Sequence, residues 1–328
     1  SLFSGIDTSL ATGLARYAVL IDSARAALGP KTMDRVTALL LRALVELRRN
    51  GSREFRSARE PLLQDAIASA AGIVVDPAAD DGFVVAGQPL AVALAIWNSG
   101  ALSARVTAAA IEAPAGWSTA PAPPPARDQD PFRNAFQSTS GVDVLRFIVM
   151  APSDAPFTEP YFLARPRRGA QYDWSVTPDS LRGEALDPAQ LTARVTFDVA
   201  GTPITVRREV SWRYADQARG EIRRPVVVVP AVGVSVHPEV VVWPLQGAAA
   251  RTVTVELAPG ARGTTRGELR LELPPAWPAT AAQRFPLDGE GTRRGFTFEL
   301  HPPARLDAGS YDIHAVATVG GARYERGT

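Results

Sequence analysis

Cysteine is absent from the 328 residues, so disulfides and thiolate metal sites are excluded. Lysine is almost absent too: Lys31 is the only one, and arginine supplies the rest of the 35 basic side chains. That skew reads as codon composition, so no arginine is singled out by type alone. Charge of either sign is not in excess. A net charge of +1 gives no field to gather nucleic acid or an anionic membrane, and neither is expected as a partner. No stretch approaches the ~18 consecutive apolar residues of a membrane span. Histidine occurs three times, as His237, His301 and His314. None has a second histidine or a ligand-spaced carboxylate nearby, so each reads as a structural or surface residue and no metal is expected. There is no Gly-x-Ser-x-Gly elbow. Gly289-Glu290-Gly291 through Gly295 has the wrong spacing for a dinucleotide loop and reads as a hairpin turn. Asp80-Asp81 reads as a solvated turn rather than a calcium site. Catalytic residues and cofactors are therefore expected to be absent. The chain begins at Ser1 without a charged and apolar leader and closes on strand-like Arg323-Tyr324-Glu325. It is expected to be cut from a longer parent.

What is present fits two or three globular domains, with 46% apolar and 21% charged residues. Residues 1–72 carry the helical period. Leu10, Leu14, Tyr17, Ile21, Ala24 and Leu28 form one stripe, with Asp7 as cap and Gly29-Pro30 as stop. Val36, Leu39, Leu40, Ala43, Leu44 and Leu47 make a wide second face, capped by Thr32 and ended by Asn50-Gly51. Ser57-Ala58-Arg59-Glu60 has capping-box spacing, and Pro61 suits the first turn of a third helix that stops at Gly72. The second face is broader than two short partners cover, so this segment is expected to dock on an absent upstream domain.

From Ile73 the period becomes two. Leu90, Val92, Leu94 and Ile96 alternate with Ala91, Ala93, Ala95 and Trp97 before the turn at Asn98-Ser99-Gly100. Leu191–Val199 and Ile204–Trp212 flank Gly201-Thr202-Pro203 and predict a hairpin, with Trp212 on the face of Ile204, Val206 and Val210. A degenerate repeat joins Ala113-Pro114-Ala115-Gly116-Trp117 to Leu273-Pro274-Pro275-Ala276-Trp277, and Phe147–Pro152 with Tyr161 to Phe298–Pro303 with Tyr311. Trp117 and Trp277 then read as equivalent core residues at sandwich edges. The expected architecture is mainly β: immunoglobulin-like β-sandwich domains preceded by a short α-helical segment. The first sandwich is expected over 73–229, with an insertion near 162–225 that holds the hairpin. The second is expected over 230–328.

Ala113–Trp117, followed by a strand and by Asp154-Ala155-Pro156 and Pro160-Tyr161, resembles the NPCBM-associated (alpha-galactosidase NEW-type) domain of bacterial carbohydrate enzymes. Three segments resemble the C-terminal part of bacterial PIG-L (LmbE-like) deacetylases. They are Ser1–Leu10, Tyr161–Leu163 with Arg165–Gly169 and Tyr172-Asp173-Trp174, and Gly220–Pro225. The resemblance implies an upstream domain that hydrolyses N-acetyl groups of amino sugars with zinc held by His-Pro-Asp-Asp and a later histidine. It also implies a periplasmic or extracellular location. This chain has neither His-Pro-Asp-Asp nor His-x-x-His, so the family's catalytic residues map onto nothing here.

The stretch from Tyr161 to Trp174 is the one candidate site. Tyr161, Tyr172 and Trp174 offer aromatic faces that stack on sugar C–H surfaces, while Arg165, Arg167 and Arg168 offer forks for carboxylates or hydroxyls. Asp173 is expected to pair with one of those guanidiniums. The alternative is a long loop pinned by its own aromatics. The expected function is a non-catalytic accessory region that packs on the upstream catalytic domain. A carbohydrate-binding module and a cell-surface spacer are the other readings.

Overall fold

The computed structural model describes residues 14–126, 142–289 and 292–325. The fold is mainly β, as expected, with strands over 41% of the described residues behind a short helical segment. The helices are α1 (Ala15–Ala26), α2 (Met33–Asn50) and α3 (Arg53–Ala70). Asp7 and Leu10 lie outside the described residues. Thr32 stands at the start of α2, but its hydroxyl donates to the carbonyls of Ala27 and Gly29, at 2.6 and 3.0 Å. It closes the turn between helices and does not cap α2. The third helix opens earlier than its apparent capping box. Ser52 holds the extended backbone that a cap needs, and its Oγ accepts from the Phe55 N–H at 3.2 Å. Ser57 and Pro61 therefore lie inside α3, where the proline leaves the Ser57 carbonyl without its helical donor.

The strands run β1 (Ile73–Ala79), β2 (Phe83–Val85), β3 (Pro89–Asn98), β4 (Ala104–Glu112), β5 (Ser118–Pro121) and β6 (Val142–Met150). Next come β7 (Thr192–Val199), β8 (Thr202–Glu209), β9 (Ser211–Asp216), β10 (Gly220–Pro225), β11 (Val227–Val229) and β12 (Val232–His237). The last are β13 (Arg251–Pro259), β14 (Thr264–Glu272), β15 (Gln283–Asp288), β16 (Arg294–Leu300), β17 (His314–Val319) and β18 (Ala322–Tyr324). They form two compact units that interleave along the sequence. The first takes in the helices and β1, then 90–149 and 188–226; the second takes in 83–89, 150–187 and 227 onward.

In the first unit a six-stranded sheet, ordered β10-β9-β1-β3-β6-β5, accompanies a three-stranded sheet, ordered β4-β7-β8. The alternation read in β3 holds: Leu90, Val92, Leu94 and Ile96 are buried. The predicted hairpin is β7–β8, with Val195 opposite Val206 and Phe197 opposite Ile204. It is not an insertion, because β7 also pairs with β4 and so builds the second sheet. Trp212 does not continue the hairpin's face. The chain changes sheets after Val210, and Trp212 stacks on Tyr214 in β9, ring centroids 4.7 Å apart. Asp80 is not merely solvated, since its Oδ1 accepts from the Ala91 N–H at 3.0 Å, and Asp81 is buried.

Strand β8 is the free edge of its sheet, and an uncovered edge is a template for foreign strands. Here the helices cover it. Gln64 of α3 is buried, and its Oε1 accepts from the Thr205 N–H at 2.5 Å. Arg48 of α2 donates from Nη1 to the Pro203 carbonyl at 2.9 Å and from Nε to Glu60 at 2.8 Å. Asp65 accepts from Arg208 at 2.8 Å. The broad apolar face of α2, for which a neighbour was expected, is buried within this unit at Val36, Leu40, Leu44 and Leu47.

The second unit holds sheets ordered β12-β13-β16 and β15-β14-β17-β18, and a short parallel pair, β11 with β2. Val255, Leu257, Leu269, Phe285, Phe298 and Trp277 belong to its core. The stretch read as a hairpin turn at Gly289–Gly295 joins β15 to β16, which belong to different sheets. Of the repeat only the Pro-x-x-Trp turn recurs: Trp117 is half-buried rather than core, and neither Tyr161 nor Tyr311 lies in a strand. The Trp117 N–H donates to the Pro114 carbonyl and the Trp277 N–H to the Pro274 carbonyl, each at 3.2 Å. The residue before each tryptophan is left-handed, Gly116 at φ 84° and Ala276 at φ 74°.

Two measurements check these assignments. Gln64→Leu leaves the Thr205 N–H without an acceptor and is expected to destabilise the first unit by about 1–3 kcal/mol. Amide exchange at Thr205 should accelerate more than exchange in β7. Ala276→Gly removes a left-handed alanine and is expected to stabilise the second unit by up to about 1 kcal/mol. A fall in its melting temperature would refute the strain.

Candidate functional site

The candidate loop belongs to the segment 150–187 of the second unit. Thr158 ties that segment to β11 through Thr158 N–H to the Val228 carbonyl, 3.0 Å, and Val228 N–H to Thr158 Oγ1, 2.8 Å. After Pro160 a single 3-10 turn, Tyr161–Leu163, places Tyr161 at the centre of the loop. Its N–H donates to the Asp187 carboxylate at 3.1 and 3.2 Å. Its buried hydroxyl donates to the Glu184 carbonyl at 2.9 Å and accepts from the Gly183 N–H at 3.2 Å. Tyr161 thereby ties the start of the loop to its far end, its hydroxyl holding the adjacent Gly183 and Glu184 backbone and its N–H the Asp187 side chain.

Aromatic contacts extend outward from Tyr161. Phe162 meets it edge-on at 5.5 Å, and Trp174 at 6.1 Å. Tyr172 packs edge-on against Phe162 at 5.6 Å, and the Arg167 guanidinium lies over the Tyr172 ring at 5.9 Å. Reciprocal bonds between Arg168 and Gln171, at 3.0 and 3.1 Å, close a tight turn in which Gly169 takes φ 60°. The Trp174 carbonyl accepts from the Thr177 N–H at 3.0 Å and from Arg182 Nη2 at 3.3 Å.

The structure thus brings Tyr161, Arg167, Tyr172 and Trp174 together. Asp173 differs from expectation. Its Oδ1 accepts from the Ser175 N–H at 3.0 Å, a local turn two residues long. Hydrogen bonds from Ser175 hold its carboxyl below the ordinary range, with lesser help from the charges of Arg165 and Arg168. A short polar side chain bonds its own backbone more readily than it orders a long guanidinium. Arg165, Arg167 and Arg168 are exposed and make no ion pair with a described residue. Sequence reasoning missed Phe162, the bridging ring, and Asp187, the anchor. Phe162's position between Tyr161 and Leu163 was the available signal for the first; nothing local signalled the second.

Outside the loop, the second unit has an aromatic group on which two elements of the repeat converge. Trp277 contacts Trp243 at 5.3 Å and Tyr311 at 5.9 Å. Trp277 is core, as expected, although its buried Nε1 has no acceptor among the described residues. The Trp243 indole donates to the Ala249 carbonyl at 2.9 Å. The Tyr311 hydroxyl reaches back to the Asp307 carbonyl at 3.0 Å. Two carboxylates of the first unit each hold a pair of arginines. Buried Asp76 accepts from Arg213 and Arg223 at 2.8 and 2.7 Å. Glu112 contacts Arg194 and Arg207 at 2.8 and 3.1 Å. The Arg207 bond, ahead of the other arginine contacts, keeps the Glu112 carboxyl below its ordinary range. Among the described residues no three His, Asp or Glu side chains are grouped to hold a metal ion. No helix among them is long and apolar enough to cross a membrane.

Ser175→Ala should let the Asp173 carboxyl titrate closer to the ordinary aspartate value near 3.9. Carbon-detected NMR of the side chain reads this directly. No change in titration would assign the depressed value to the backbone N–H of residue 175 and the arginines instead.

No family model matches the chain, and no curated protein matches it. Among solved structures, the chain is aligned with a DUF4785 family protein from Legionella pneumophila at 11% identity and a TM-score of 0.20. The alignment covers 76% of this chain, which spans about half (54%) of that protein.

Proposed function

We propose that this chain is a non-catalytic accessory region that docks on a catalytic domain of the same polypeptide, a zinc-dependent N-acetyl-sugar deacetylase of PIG-L type, in the periplasm or outside the cell. One observation carries the docking: a single self-pinned loop presents Leu163, Tyr172, Trp174 and Val176 as exposed apolar surface beside exposed Arg165, Arg167 and Arg168. Tyrosine, tryptophan and arginine are the side chains that dominate association energies at protein interfaces. The bonds of Tyr161 order the backbone before any partner arrives, which lowers the entropy lost on docking. The apolar rings supply the buried area, and guanidinium forks select carboxylates on the partner.

A second reading, a carbohydrate-binding module, is favoured by the exposed rings of Tyr172 and Trp174 on the same loop. Stacking of a pyranose on either ring would leave the arginines to meet hydroxyls or an acidic sugar.

Replacing Arg165, Arg167 and Arg168 with alanine together is expected to weaken docking of a separately expressed catalytic domain about tenfold or more, read by calorimetry. Trp174→Ala should do the same, by roughly 2 kcal/mol if it is an anchoring residue. Melting of the second unit should stay nearly unchanged in the arginine variant. Unaltered docking in both variants would refute the accessory reading. Retention on immobilised glycans that Trp174→Ala abolishes would favour the module.

A further inference from the structure

The chain leaves β12 at His237 and reaches β13 at Arg251 without joining a sheet in between. Exposure nevertheless alternates along this run. Val240 is 77% and Val242 78% exposed, while Val241 and Trp243 pack on the core. That is the period of a strand. Yet Val240, Val241 and Val242 make no backbone hydrogen bond with any described residue. A second unpaired run, Gly309–Ile313, leads into β17. The two runs line a cavity of ≈ 540 Å³, in the range of built binding sites. Its charged lining is of one sign: Glu239, Asp307 and Asp312 are there, and no lysine or arginine is. None of the three carboxylates is in an ion pair with a described residue. Tyr311 and His314, the latter at the start of β17, also line it.

We propose that this groove receives an extended peptide segment of alternating apolar and basic side chains, added as a strand beside Val240–Val242. Each part of the site fits one part of such a ligand. Unpaired strand-like backbone is completed by main-chain hydrogen bonds from an added strand. The two outward valines present β-branched surface for cross-strand contacts. The largely aliphatic cavity takes apolar side chains, and the three carboxylates take lysine or arginine between them. Anions are disfavoured by the same carboxylates. Leu245, also exposed, extends the apolar surface beyond the valines.

The test uses the whole chain, labelled with 15N, and a blocked hexapeptide of alternating lysine and valine. Binding should shift and protect the amides of Val240–Val242. A matching glutamate–valine peptide should bind at least about tenfold more weakly. The variant Glu239→Gln/Asp307→Asn/Asp312→Asn should lose about tenfold in affinity for the lysine peptide, and the loss should shrink in high salt. Val242→Ser removes the β-branched surface at an exposed residue without changing the charge, so the second unit should melt normally while protection of the amides falls. Equal affinity for the two peptides, or shifts away from residues 240–242, would overturn the proposal. So would no binding at millimolar peptide. Cellohexaose shifting the same amides when neither peptide does would also overturn it and make the groove a glycan site. None of these outcomes depends on the loop around Tyr161.

Discussion

The outward backbone of a sheet's last strand must be satisfied or shielded, and in the first unit that requirement binds the helices to the strands. Strand β8 ends a three-stranded sheet, and its Thr205 N–H and Pro203 carbonyl face away from β7. Gln64 and Arg48 supply the missing acceptor and donor from α3 and α2. A buried glutamine is otherwise an awkward choice, because its amide loses water. Here it does for one backbone group what an extra strand would do. The helices are thereby part of the sheet's hydrogen bonding as well as its apolar cover.

Arginine performs the same kind of service elsewhere. Asp76 lies buried in β1, where an unpaired carboxylate would be strongly unfavourable. Arg213 and Arg223 reach it from the neighbouring hairpin. In the second unit Arg323 grips Glu272 through two nitrogens, at 2.9 and 3.0 Å, and that bond lowers the Glu272 carboxyl. A planar fork fixes strand-to-strand geometry in a way that a single ammonium does not.

What was legible in the sequence is what depends on near neighbours. The period of two in β3 and in the β7–β8 hairpin follows from side chains alternating across a pleat, and it placed those strands and their buried residues. The Pro-x-x-Trp turns were legible because four residues close them. Partners distant in sequence were not. Nothing in Val227–Val229 announces that it pairs with Phe83–Val85, and nothing in the hairpin announces β4 as its neighbour. The same limit applies to the site. The cluster of rings and arginines is visible as composition, but the anchoring of Tyr161 by Asp187 and Glu184 spans a loop with no period. Ser52 and Ser57 illustrate a finer limit. Both can cap, and only the backbone entering the helix selects between them.

The interleaving of the two units bears on how the chain comes into being. Phe83–Val85 is synthesised early but finds its partner strand only when Val227–Val229 has emerged. Until then a short apolar strand waits with its edge open, through the translation of the later half of the first unit. The first unit in turn is incomplete until β9 has paired with β1. Neither unit can therefore be released whole by a single cut in the chain, and a ribosome stalled anywhere before residue 227 would hold a nascent protein in which neither unit has its full set of strands.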